Sequence, residues 1–138
     1  MDQQIKQRIQ SFLPFSTQTG AWCRIEALDA ENAHVVSAMM ELADYFKQVV
    51  AEPREIYLSV QEVRSLTVYV RWRRKGVRGK QAYLSLNSID GKDFLLRQSQ
   101  EVQQIYRCFN QWALDFNLAH SLRLNEIRRL KKYLQDGI

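Results

Sequence analysis

The chain is poor in the residues that break, bridge or bind. Its 138 residues hold two prolines, two cysteines, two histidines and five glycines. No apolar run approaches the roughly 20 residues that a membrane-spanning helix needs. The first stretch, MDQQIKQRIQSFLPF, lacks the apolar core of a signal peptide, so a cytoplasmic protein with no membrane partner is expected. Cys23 and Cys108 stand far apart and match neither zinc nor CxxC spacing, which predicts buried free thiols. There is no glycine-rich phosphate loop, nucleophile elbow or paired-histidine spacing, so neither an enzyme nor a metal or cofactor site is expected. His34 and His120 are the only histidines, and His120 reads as a satisfied core or boundary residue. Asp90 and Asp93 read as turn and helix-cap residues rather than as ligands or acids.

The most informative deficit is acid. Between Val63 and Ile89 stand Arg64, Arg71, Arg73, Arg74, Lys75, Arg78 and Lys80, with no Asp or Glu. This stretch carries +7 in a chain whose net charge is +5, so the remainder sums to −2. Such segregation points to an anionic partner, and a basic face bearing aromatic residues most commonly meets nucleic acid. The same stretch alternates as a β-hairpin. Leu66, Val68, Val70 and Trp72 interleave with Thr67, Tyr69, Arg71 and Arg73, and beyond a basic turn Ala82, Leu84 and Leu86 interleave with Gln81, Tyr83 and Ser85.

The predicted fold class is α+β in a single domain, residues 1–138. An amphipathic helix is expected over Asp2–Leu13, capped by Asp2 and stopped by Pro14, and it reads as a docking element of the core ahead of the alternative, a partner-binding arm. Residues 21–28 fit either a strand or the start of the next helix. A core helix is predicted from Asp29, its N-cap, to Ala51, with an apolar stripe through Val35, Met39, Leu42, Phe46 and Val50. Arg54 to Leu86 forms a three-stranded antiparallel meander. Its apolar face is Ile56, Leu58, Val60, Leu66, Val68, Val70, Trp72, Ala82, Leu84 and Leu86, covered by helices; its other face is Tyr57, Gln61, Tyr69, Arg71, Arg73, Gln81 and Tyr83. After a turn over Asn87–Gly91, a helix is predicted for 92–135. Unbroken it would be roughly 65 Å long, against a radius of gyration of roughly 14 Å for a globule of this size. Either it breaks near Asn117–Ser121, where the apolar stripe slips, or its last turns project. Leu124 to Leu134 would then be the surface for a homodimer.

The candidate nucleic-acid residues are Arg64, Tyr69, Arg71, Arg73, Arg74, Lys75, Arg78, Lys80 and Tyr83, with a secondary basic patch at Arg123, Arg128, Arg129, Lys131 and Lys132. A two-stranded ribbon suits the major groove of duplex DNA, whereas Tyr57, Tyr69 and Tyr83 suit stacking on unpaired bases. The alternative is a protein-protein adaptor, or a phage-borne inhibitor, using the same basic face. The strand TVYVRWRR and the helix segment FNLAHSLRLNEIRRL, preceded by a helix and an extended segment, resemble accessory proteins of integrative and conjugative elements, including MobI-like mobilisation factors. The resemblance spans most of the chain after Trp22. It implies an auxiliary DNA-processing role for a plasmid or other mobile genetic element in conjugation, beside a separate relaxase and with no catalysis in this chain. It carries over no catalytic residue.

Overall fold

The structure is a computed structural model that describes residues 2–63, 66–75 and 82–137. In chain order its elements are α1 (Gln3–Gln10), α2 (Gln18–Val49), β1 (Ile56–Val63), β2 (Thr67–Arg74), β3 (Ala82–Leu84), α3 (Ile89–Leu96) and α4 (Gln100–Asp136). The class is α+β, with an antiparallel sheet in the order β1-β2-β3. The chain divides into two compact units: Val35–Ser121, which contains the sheet, and Met1–His34 with Leu122–Ile138.

The unit that contains the sheet is built on one core. Ile56, Leu58, Val68, Val70, Trp72 and Leu86 present the apolar side of the meander to Met39, Leu42 and Phe46 of α2, Phe94 and Leu95 of α3, and Tyr106, Phe109 and Ala113 of α4. Period-2 alternation on the strands and the 3.6-residue stripe on the helices produce the two faces that meet here. Phe46 is the hub, edge-on to Trp72, Tyr106 and Phe109 at centroid distances of 5.4, 5.4 and 5.3 Å. Two residues depart from the predicted apolar face. Leu66 is exposed with φ 64°, a left-handed turn residue entering β2, and Ala82 is exposed at the start of β3.

Tyr106 reaches across this core to donate its hydroxyl to the Ile56 carbonyl at 2.7 Å. Burial pushes its pKa up to about 12, because the phenolate would lose water and gain no donor. The neutral ring's contribution is whole below the ordinary value near 10 and is lost as pH rises through 12. Urea unfolding should therefore show stability falling from about pH 10 to 12 by on the order of 3 kcal/mol, a fall that Tyr106→Phe abolishes. An unchanged alkaline slope in the variant would remove Tyr106 as its origin.

Helix starts follow side-chain caps that differ from those expected. Residues 21–28 are helical, and α2 begins after Thr17, whose Oγ1 accepts from Gly20 N at 3.0 Å; Asp29 lies inside the helix and is not its cap. Asp2 makes no side-chain cap to α1, which ends at Gln10, before Pro14. Ser88 caps α3 by accepting from Gly91 N at 3.1 Å, so the predicted turn is already helical at Ile89. Gly91 must be glycine, since a Cβ there would sit 2.5 Å from both the Ser85 and Leu86 carbonyl oxygens. The predicted 92–135 helix is two helices. They part at 97–99, where Ser99 Oγ accepts from Val102 N at 3.2 Å and opens α4. Asn117–Ser121 is continuous helix.

In the other unit, Ile127 of α4 is buried against Ile25 and Leu28 of α2, with Leu130 and Leu134 packed on them. Arg24 closes on Glu126 at 2.7 Å and Arg123 on Glu31 at 3.2 Å. The stripe predicted for a dimer is thus engaged within the chain, and these turns of α4 do not project alone. α1 buries no residue, and its Ile5 and Ile9 are exposed, as are Phe12 and Leu13 just beyond it, so it does not dock as expected. Cys23 and Cys108 are also exposed rather than buried.

Candidate nucleic-acid interface

The face of the sheet turned away from the core carries the predicted residues in register. Tyr57 pairs with Arg73, Ser59 with Arg71 and Gln61 with Tyr69 across β1 and β2, and Arg73 pairs with Tyr83 across β2 and β3. A side chain on one strand therefore meets its diagonal neighbour on the next. The Arg71 guanidinium carbon lies 4.7 Å from the Tyr69 ring centroid and 5.3 Å from that of Tyr83, and the Arg73 guanidinium carbon lies 5.1 Å from that of Tyr83. Arg71 thus lies within reach of both rings, and Arg73 within reach of Tyr83, its cross-strand partner. Gln61 fixes the stack by accepting from Arg71 Nη1 at 3.0 Å.

These cations are held by rings and an amide rather than by carboxylates. Stacked guanidiniums are weakly hydrated planes whose free edges still donate. Arg73 Nε is enclosed and among the described residues has no hydrogen-bond partner, so the ring contact orients it. Tyr57 instead packs against the core cluster, which leaves Tyr69 and half-exposed Tyr83 as the stacking surface.

The remaining candidates divide. Arg74 belongs to a structural network: it sits 3.6 Å from both Glu55 and Asp90, while Arg97 holds Glu55 at 3.2 Å. The Arg97 hydrogen bond holds the Glu55 carboxyl below its usual range, and Glu55 in turn raises Arg97. Asp90 is thus a partner of Arg74 as well as a first-turn residue of α3. Lys75 is exposed at the end of β2, its N–H donating to the Glu55 carbonyl at 3.2 Å. Arg64, Arg78 and Lys80 lie outside the described residues. The secondary patch lies in the unit formed by the chain's two ends. There Arg123 is paired with Glu31 and Lys132 with Asp136 at 3.3 Å, while Arg128, Arg129 and Lys131 are exposed.

Residues that charge and alternation do not single out support this face from behind. β3 pairs with Trp72–Arg74, so among the described residues Val68 and Val70 have no strand neighbour on the β3 side of β2. α4 supplies one. Asn117 accepts from Val70 N at 2.8 Å and donates to Val70 O at 3.0 Å, while buried His120 accepts at Nε2 from Val68 N at 3.0 Å. Asn110 accepts from Trp72 Nε1 at 2.9 Å. The sequence signal was three polar residues spaced seven and three apart along an otherwise apolar helix stripe. Among the described residues no cluster of His, Cys, Asp and Glu has the makings of a metal site, and no helix is long and apolar enough to cross a membrane. No protein-family model, curated protein or solved structure matches this chain.

Proposed function

We propose that the protein is a DNA-binding accessory factor of a mobile or conjugative element, acting without catalysis of its own beside a DNA-processing enzyme such as a relaxase. The observation that carries the binding reading is the Tyr69, Arg71, Tyr83, Arg73 stack, which offers cations not neutralised by acid on a rigid sheet. Phosphates would meet the guanidinium edges and Lys75, and bases the ring and guanidinium planes. The surrounding acid-free stretch adds a field that draws polyanions. The mobile-element context rests on the resemblance of TVYVRWRR and FNLAHSLRLNEIRRL to the accessory proteins of such elements.

The test is a binding titration with duplex and single-stranded DNA at two salt concentrations. Each neutralised phosphate contributes about −0.9 to the slope of log affinity against log salt on duplex and about −0.7 on a single strand. A slope of about −2 or steeper is expected if Arg71, Arg73 and Lys75 all engage. Absence of binding to either form at low salt would overturn the reading and favour an acidic protein as the partner of this face.

A further inference from the structure

The short third strand leaves a cleft of about 340 Å³ beside the stacked face. Its lining includes Val70, Trp72, Arg71, Tyr83, Asn110 and Leu114. Arg71 and Tyr83 belong to both cleft and basic face, so one opens onto the other. The polar groups at its back are unequal. Asn117 uses both ends of its amide on Val70. Asn110 uses only Oδ1, on Trp72 Nε1, and among the described residues no hydrogen bond takes its Nδ2. The cleft therefore combines an apolar floor, an aromatic wall, a guanidinium and an unpaired NH2 donor.

That is the complement of a nucleobase with an edge carbonyl: a flat π-system to lie against Tyr83 and an oxygen to accept from Asn110. A base in a duplex is stacked and paired and cannot enter. The sheet also argues against duplex, because its three strands are backed by helices on the opposite face, so no free two-stranded ribbon is offered to a major groove about 12 Å wide. Resting on the nucleic-acid reading above, we infer that the interface takes single-stranded DNA, with one unpaired base inserted in this cleft and the flanking phosphates on Arg71 and Arg73.

The probes are oligothymidylate, whose bases carry two edge carbonyls, and a duplex of the same length, with the full chain at fixed low salt. Oligothymidylate should bind about tenfold or more tightly than duplex, the order of one base stack. Asn110→Asp keeps the acceptor for Trp72 but removes the donor, and Leu114→Trp fills the cleft from an exposed helix position. Each should lower oligothymidylate affinity about tenfold while leaving thermal unfolding near the parent's, and Leu114→Trp, which adds no charge, should also leave duplex affinity near the parent's. Duplex bound as tightly as oligothymidylate, or either folded variant binding oligothymidylate like the parent, overturns the inference but leaves DNA binding standing. Failure of the parent chain to bind both probes overturns the DNA reading itself, and the inference with it.

Discussion

A chain carrying Asn117→Leu and His120→Leu together should unfold about 3–5 kcal/mol more readily than the parent. The argument rests on where the backbone hydrogen bonds of β2 go. Strand β3 ends its pairing at Trp72, so Val68 and Val70 would otherwise face α4 with open donors and an open acceptor. Buried main-chain groups of this kind are nearly always satisfied. Here three bonds from two side chains satisfy them. Leucine at both positions keeps the helix and adds apolar bulk, but orphans the Val68 N–H and both Val70 groups at roughly 1–3 kcal/mol each. Water reaches half-buried Asn117 and offsets part of this, whereas His120 is 1% exposed and its partner gains no such relief. Urea denaturation measures the total, and amide exchange should quicken first at Val68 and Val70. Asn117→Asp, which keeps the acceptor for Val70 N–H and loses the donor, should fall between. A double variant within about 1 kcal/mol of the parent would mean that water already serves this edge.

The same pair of residues explains what was and was not legible in the sequence. Alternation over Ile56–Val60 and Val68–Trp72 located the strands and their faces, because one side of each is buried and a one-residue slip would expose it. Leu66 and Ala82 lie where that constraint fades, at the ends of β2 and β3, and both escaped it. On α4 the apolar stripe falters at Asn117–Ser121, and a faltering stripe looks like a helix end. In fact Asn117 and His120 occupy core-facing positions, and they are polar because the surface opposite is a strand edge rather than side chains. The true break, at 97–99, is marked by Ser99, a cap whose recognition needs no tertiary information; Thr17 is the same signal ahead of α2. For the candidate site, charge counting groups residues that the strand separates. Arg74 follows Arg73 in sequence yet lies on the opposite side of the strand, where Glu55 and Asp90 neutralise it. Those acids come from 19 positions before and 16 after it, beyond the reach of any local pattern.

Replacing Arg71 and Arg73 together with alanine should weaken DNA binding by about 2–6 kcal/mol, counting roughly 1–3 kcal/mol for each well-placed arginine contact. These two side chains are central because both are half-buried in the ring stack and so meet a ligand already ordered, without the rotamer loss a free lysine incurs. If each neutralises one phosphate, the salt slope should become shallower by about 1.4 units on a single strand and about 1.8 on duplex. The fold should survive, since the lost contacts lie on the face away from the core and exposed cation-ring contacts contribute only about 0.5–1 kcal/mol each. Lysine at both positions separates the two roles of the guanidinium. It should restore the slope, which depends on charge, and leave most of the affinity loss, which depends on the planar group stacked on Tyr69 and Tyr83. A folded alanine variant with unchanged affinity and slope would remove the sheet face from the binding site. The next basic residues to replace would then be exposed Arg129 and Lys131 toward the end of α4.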